Sequence, residues 1–390
     1  MRIRPWLRRP STHPRGSALS DPRPTILVTG IAGTLGLRLL PLLGDYRVAG
    51  VDLLPLAGWP GIVMHRLDLG HESSCIRLVQ LLRESGAEAV VHLAAASNPV
   101  RDPARNPARN AMRNPATDLE RMWQTNVAGT ARVMEAISEV NRHGGKIAKF
   151  IYPSSVAVYG PETGPMVRED APLKAHTLTY AVQKAEADAV VKFRAPSLGP
   201  CSTYLLRPQI FAGAGVENHM VNALRGQALG NGAVGRKMRR REKRLPLLLP
   251  MGTSYPQKLF QFVHVDDVAR LIVWLLRRSP AQQREELTLN VAGSGSPISL
   301  ARCAEIGEAK LVRLPSRWLC AKVLALLWKL GASAVPPDAF PYLAGSYTMS
   351  TERLRRLLGG DYEKVIRYSS EAALRDSLTE TPVAQAAPVR

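Results

Sequence analysis

The chain has 390 residues, 45% of them hydrophobic and 22% charged, with a formal net charge of +20. That length and apolar content suit a globular enzyme with one large domain or two intimate ones, and exclude a small stapled scaffold or a disordered chain. The charge favours anionic partners in general, but arginine greatly outnumbers lysine, as a GC-biased genome alone would produce, so nucleic acid is not expected as a partner.

The first residues, 1–23, are basic and broken by Pro5, Pro10 and Pro14, with no apolar core of a secretory signal, and read as a disordered tail. Thr25 opens TILVTG, an apolar run closed by glycine, the pattern of a buried parallel strand entering a tight turn. LGLRLLPLL then reads as a helix and RVAGVDLL as the next strand. AVVHLAAA, AKFIYPSSV and STYLLRP follow as further strands, with room for crossover helices between them. The clearest helices are TDLERMWQTNVAGTARVMEAISEV and TYAVQKAEADAVVKF. The alternation predicts an α/β fold of the Rossmann type, a doubly wound parallel sheet with a smaller C-terminal substrate domain. Residues 24–208 plus 256–293 are the expected dinucleotide-binding domain, and 209–255 plus 294–380 the substrate-binding part, with 381–390 a loose tail. Two segments stand out from this plan. Residues 103–118 form a degenerate four-residue repeat opened by proline, expected as an exposed basic loop. Residues 236–244, RKMRRREKR, are expected to be a solvated loop, with phosphate or acidic lipid as its alternative ligand.

Cys75, Cys201, Cys303 and Cys320 are scattered without CxxC spacing, and no HExxH is present, so no metal site is expected and a reducing cytoplasm fits. Chemistry instead gathers at three motifs. TGIAGTLG places Gly30, Gly33 and Gly36 between a strand and a helix, with Thr34 and Leu35 opening that helix. Such a turn lets backbone amides and a helix N-terminus meet a pyrophosphate. Asp52 ends the second strand about 20 residues on, where a carboxylate accepts ribose hydroxyls and repels a 2′-phosphate, so NAD is expected rather than NADP. Tyr180 and Lys184 lie four apart on one helix face, and a nearby ammonium should lower the phenol pKa toward the working range of a general acid/base. IYPSSVAVYG sets Ser154 and Ser155 at the C-terminal end of a strand, where a hydroxyl can steady a reacting oxygen.

In order along the chain, TGxxGxxG, HLAA, the serine strand with VYG, YxxxK, RP and FxHVDDVA resemble the NAD-dependent epimerases and dehydratases of the extended short-chain dehydrogenase family, over roughly residues 25–293. The resemblance implies a catalytic set of Ser155, Tyr180 and Lys184. Ser155 is selected over Ser154 because the serine of UDP-galactose 4-epimerase-like members is separated by two residues from VYG. It also implies that Asp68 and Leu69 flank the adenine, that Leu93, Ala94 and Ala95 line the cofactor, that Asn126 supports the active site, and that Pro208 sits near the nicotinamide. Sugar 4,6-dehydratases of this kind carry an Asp-Glu pair where Val156 and Ala157 stand, so no elimination of water is expected. Phe260 stands where nucleotide-sugar enzymes place a diphosphate-binding arginine, with Lys258 out of register. The apolar stretch 311–343 resembles that of 3β-hydroxysteroid dehydrogenase-like members, although Lys322 and Lys329 interrupt it. Trp318, Leu319, Val323, Leu324, Leu326, Leu327 and Leu330 are expected to form one helical face, either core or in contact with a membrane surface.

The reading is therefore an NAD-dependent epimerase or oxidoreductase acting at a secondary alcohol. The substrate is expected to be a small molecule, either a nucleotide sugar or an apolar, sterol-like alcohol. A homodimer is one expected assembly, and the cytoplasm, with peripheral membrane contact as an option, the expected location. A non-catalytic NAD sensor is the reading from a different class.

Overall fold

The computed structural model describes residues 22–59, 61–96, 115–252, 254–279 and 283–378. The expected N- and C-terminal tails and most of the proline repeat lie outside them.

Seven strands form one parallel sheet: β1 (Thr25–Thr29), β2 (Arg47–Asp52), β3 (Val63–Arg66), β4 (Ala87–His92), β5 (Lys149–Pro153), β6 (Ser202–Pro208) and β11 (Glu286–Val291). Their order across the sheet is β11-β6-β5-β4-β1-β2-β3. Both faces are buried over the central strands, which is why those read as continuous apolar runs, whereas the edge strand β3, VMHR, has no buried residue and is not legible as a strand. Along β1, Ile26 and Val28 enter one core while Leu27 enters the other, the period-two alternation of a pleated strand. Helices α1 (Thr34–Leu39) and α8 (Val265–Arg277) pack together on the first face; α2 (Ser74–Ser85), α4 (Gly129–Arg142) and α5 (Thr179–Arg194) cover the other. Sheet order reverses between β1 and β4, so the crevice outside their carboxyl ends is the natural ligand position of a doubly wound sheet.

The helix expected over 117–140 is present, with one π-helical turn inside it. Pro115–Trp123 (α3) is α-helical, Gln124–Ala128 forms one π-helical turn, and Gly129–Arg142 continues as α4. A π turn slips the ladder by one residue and turns a side chain that a regular helix would aim elsewhere; here that side chain includes the buried Asn126. Pro115, at the tip of the repeat, opens α3 rather than belonging to a loop, because proline at the first helical position removes no needed donor.

The remaining chain builds small sheets beside the main one. β10 (Phe262–His264) pairs with β7 (Ile210–Ala212), β12 (Ile298–Ser299) with β9 (Leu259–Phe260), and β13 (Leu311–Leu314) with β8 (Leu247–Pro250). Around them lie α6 (His219–Leu224), α7 (Ala233–Arg240), α9 (Leu300–Ile306) and α10 (Arg317–Lys329). Two expectations need correction. The basic run is only half a loop, since Ala233–Arg240 is helical after the Gly232 N-cap while 241–244 is turn and irregular chain. The apolar face of α10 is also split. Cys320 and Leu324 are buried, while Trp318, Leu326 and Leu330 are 67%, 55% and 52% exposed, so the seven residues do not share one face. The reason is spacing: residues 320 and 324 are one turn apart on one side, whereas 318, 322, 326 and 330 step by four along another.

In the FxHVDDVA segment, Asp267 is fully buried and accepts the backbone N–H groups of Arg367 and Tyr368 at 3.1 Å each. His264 caps α8, stacks on Tyr368 at 3.8 Å and hydrogen-bonds Asp376 at 2.9 Å. The segment therefore fastens the C-terminal chain to the sheet.

Candidate active site

Because the strands are parallel, the chain leaves β1, β4, β5 and β6 at one edge, and each exit carries a residue singled out in the sequence. β1 runs into Gly30, whose φ of +70° is left-handed. A side chain there would also come within 2.4 Å of the Ala94 nitrogen, so the position needs glycine for both backbone and space. Gly36 lies against the Ile31 carbonyl, where a Cβ would approach to 2.2 Å, which lets α1 close on its strand. Gly33 differs: a Cβ would meet only the Gly30 oxygen, at 3.1 Å, and the residue is exposed as the N-cap of α1. An open glycine at the head of the turn suits the close approach of a pyrophosphate. Thr34 is exposed and Leu35 half-buried at the start of α1.

Asp52 ends β2 and reaches across the turn. Its carboxylate accepts the Ala32 N–H at 2.9 Å and the Leu54 N–H at 3.0 Å, so it braces the glycine loop. Asp68 accepts the Gly70 N–H at 2.9 Å and pairs with Arg121 at 3.2 Å, while Leu69 is buried in the core. Beyond β4, Leu93 and Ala94 are half-buried and Ala95 is exposed. Asn126 holds this segment by accepting the Ala96 N–H at 2.7 Å and donating to the Ala96 carbonyl at 2.9 Å. The same amide donates to Gln183 on α5 at 2.9 Å, so the π turn ties the β4 exit to the Tyr-Lys helix. Pro208 ends β6, buried beside Val291 of β11.

Ser155 follows β5 in extended conformation and caps a 3-10 turn, Val156–Tyr159, by accepting the Ala157 N–H at 3.2 Å. The Ser155 hydroxyl lies near enough to the Tyr180 phenol to act on its titration. Both are half-buried, so a substrate oxygen can reach them. Burial pushes the Tyr180 phenol up to about 12, against the lowering effect of the Ser155 hydrogen bond. This reverses the expected direction. The Lys184 ammonium donates to the Tyr152 hydroxyl at 3.2 Å and the Pro153 carbonyl at 3.0 Å. Lys184 is itself brought down to about 8 by burial, with Asp188 opposing. Desolvation therefore dominates both groups.

Beneath Lys184 is a charged network that the motifs did not disclose. Asp188, one turn further along α5, pairs with Arg207 of β6 at 2.9 Å, both side chains fully buried. Arg207 also donates to the Tyr159 hydroxyl at 2.7 Å and the Glu169 carbonyl at 3.0 Å. The Tyr159 hydroxyl donates to Asn290 of β11 at 2.7 Å. Burial raises the Asp188 pKa, and Arg207 and the Ser154 hydroxyl pull it back. His92 at the end of β4 is brought to about 3 by burial and so is neutral between Thr29 and Thr130. A carboxylate one turn after Lys184 and the arginine of the RP motif were the available signals for this network.

Val156 and Ala157 are buried in the apolar core and carry no proton-exchanging group. Phe260 is fully buried edge-on against Tyr347 at 5.8 Å. Lys258 lies over the Tyr255 ring at 5.5 Å.

A solved UDP-glucose 4-epimerase from Thermus thermophilus, in complex with NAD, is similar to this chain at 19% identity and a TM-score of 0.59, covering 91% of this chain and 97% of that one. A UDP-glucuronic acid 4-epimerase from Bacillus cereus, with UDP-glucuronic acid and NAD, is similar at 19% identity and a TM-score of 0.58, over 91% and 96%. A dTDP-glucose 4,6-dehydratase from Bacillus anthracis str. Ames, in complex with NAD, is similar at 17% identity and a TM-score of 0.59, over 91% and 95%. At these identities the likeness is one of fold, and it does not separate epimerases from dehydratases. No curated protein sequence matches the chain. The family model for "NAD dependent epimerase/dehydratase family" matches residues 26–292, more than half of the chain. The chain belongs to the NAD-dependent epimerase/dehydratase family.

Proposed function

We propose that the protein is an NAD-dependent epimerase or oxidoreductase that moves a hydride at a secondary alcohol, with a nucleotide sugar as substrate. The observation that carries this reading is the juxtaposition of Ser155 and Tyr180, both half-buried, at the same sheet edge as the glycine turn. In this reading Gly30, Gly33 and Gly36, with Thr34 and Leu35, receive the pyrophosphate. Asp52 takes the adenosine ribose, Asp68 and Leu69 border the adenine, and Leu93, Ala94, Ala95, Asn126 and Pro208 border the nicotinamide half. NAD, when bound, supplies the hydride acceptor and donor. Tyr180, held as the neutral phenol, gives its proton to a substrate carbonyl oxygen and takes it back from the hydroxyl in the reverse direction. Ser155 donates a second hydrogen bond to that oxygen. Lys184 holds the ribose hydroxyls and carries positive charge behind the tyrosine. Residues 209–255 and 294–380 form the substrate-binding part.

A second reading, an apolar alcohol as substrate, is favoured by the burial of Phe260 where a diphosphate-binding cation is wanted. It is favoured also by apolar lining beside the site, where Leu324, Val335, Phe340 and Leu343 gather in one cluster. Leu343 and Leu178, two residues before Tyr180, pack on the same cluster, which brings apolar surface toward the reacting end. The test is to incubate the NAD-loaded protein with UDP-glucose, UDP-glucuronic acid and a 3β-hydroxysteroid. Inverted sugar is read by proton NMR and net oxidation by NADH absorbance. A C4-inverted sugar without net NADH supports the first reading, and NADH from the steroid alone supports the second. Turnover of neither class, with NAD bound, would favour an NAD sensor.

A further inference from the structure

We infer that α7 and α10 together form a docking face for an anionic lipid bilayer surface. In sequence the two segments are about 80 residues apart. In the fold they leave one short antiparallel ladder. The Gly230 N–H donates to the Ala332 carbonyl at 2.8 Å and the Gly232 N–H to the Gly331 carbonyl at 3.0 Å, while Leu229 bridges Ser333. In an antiparallel ladder one chain enters at the end from which the other departs. α10 arrives at Gly331 and α7 begins after Gly232, so the C-terminus of one helix and the N-terminus of the other stand side by side. Glycine permits this contact, since a Cβ on Gly331 would lie 2.5 Å from the Gly232 Cα.

The composite face has the two chemistries such a surface needs. On α10, Trp318, Lys322, Leu326 and Leu330 form an exposed stripe, with the Lys322 ammonium 5.5 Å from the Trp318 ring. An indole suits the boundary between headgroups and acyl chains, and lysine stems lie along apolar surface with the charge outward. On and after α7, Lys237, Arg240, Arg241 and Lys243 are exposed and have no ion-pair partner among the described residues. Arg244 and Arg317, by contrast, are paired with Glu308 and Glu162. The only acidic residue inside the run is Glu242. An apolar stripe on one helix and unpaired cations on the helix that starts beside its end, on a chain with a net charge of +20, complement an anionic bilayer and repel a second copy. Among the described residues no helix is long and apolar enough to cross a membrane, so the contact is interfacial.

The test is co-sedimentation of the full-length protein with phosphatidylcholine vesicles, with and without phosphatidylglycerol. Wild type should bind only the anionic vesicles and be released as salt rises from about 0.05 M to 0.5 M, where screening contracts to a few ångströms. Lys237→Glu/Arg240→Glu/Arg241→Glu should weaken binding by at least about tenfold, and Trp318→Ser/Leu326→Ser should weaken it by a similar factor. Both sets replace exposed or mostly exposed side chains, so circular-dichroism melts should match wild type and separate lost binding from lost fold. Substituting Arg2, Arg4, Arg8 and Arg9 by serine tests the basic N-terminal segment and should leave binding unchanged. The inference is overturned if wild type ignores anionic vesicles at low salt, or if either face variant binds as wild type does. It is equally overturned if the N-terminal variant alone loses binding, if duplex DNA of equal charge is preferred, or if the face variants convert a dimer to monomers.

Discussion

Lys184 should make the stability of the protein rise with pH in the window between neutrality and about pH 9.5. Its side chain is 3% exposed and its folded pKa is about 8 against an ordinary 10.5. A lysine whose folded pKa is depressed is protonated more readily in the unfolded chain, so over that window the unfolded state binds the extra proton. The slope of unfolding free energy with pH is then positive. At about 1.36 kcal/mol per pKa unit, the full depression corresponds to roughly 3 kcal/mol. Integrating the two titrations from pH 7 to 9.5 gives a gain of about 2 kcal/mol. Lys184→Met keeps the length of the side chain and removes the charge, so the comparison isolates this group from the tyrosines. The measurement is urea unfolding of both proteins without cofactor at half-unit steps from pH 7 to 9.5. Wild type should gain about 2 kcal/mol relative to the variant across the series. A difference that stays flat would mean that Lys184 is solvated or fully compensated by Asp188, and the desolvated-lysine reasoning would fail.

Other outcomes follow from the same geometry. Tyr180→Phe removes the proton but keeps the ring, so turnover should fall about 10²–10⁴-fold with NAD affinity within a few-fold of wild type, as stopped-flow and calorimetry would show. Asp52→Ala should narrow the preference for NAD over NADP and also loosen the Ala32 turn; equal affinities for both cofactors in the unmodified protein would refute the assignment. Asp188→Asn leaves Arg207 buried without its counter-charge and should cost about 3–5 kcal/mol in denaturant unfolding. With TDP-glucose, no 4-keto-6-deoxy product should appear by mass spectrometry, because Val156 and Ala157 are core residues.

What could be read from the sequence was whatever depends on local pattern. The central strands β1, β5 and β6 are apolar runs ended by glycine, serine or proline, and both the runs and their stops survive in the fold, whereas the exposed edge strand β3 carries no such pattern. The glycine turn was equally readable, because Gly30 needs a positive φ and Gly36 needs contact with Ile31, two demands that no other residue type meets. What escaped was set by distant contacts. The pairing of Asp188 with Arg207 joins a helix to a strand; each residue stood beside a motif, but neither segment shows that the two meet. The π turn at Gln124–Ala128 looks in sequence like more helix, and only the need to hold Ala96 and Gln183 explains why Asn126 is turned inward.

The tyrosine shows most clearly why the site was only half legible. Spacing places Tyr180 and Lys184 on one helical face, and from that alone the ammonium should depress the phenol. The fold adds two facts that spacing does not contain. Pro153 and Tyr152 capture the lysine protons, and the surroundings of Tyr180 exclude enough water to raise its pKa. The pair therefore stands in the cofactor-free protein as a neutral acid beside a lysine that is easily deprotonated. In the proposed function the tyrosine would be tuned by charge brought into the site with the cofactor rather than by the lysine alone. A tyrosine whose absorbance titrates near 12 in the free protein, and distinctly lower once NAD is bound, would show that the second charge is the working one; an unchanged titration would leave Ser155 as the only group that tunes it.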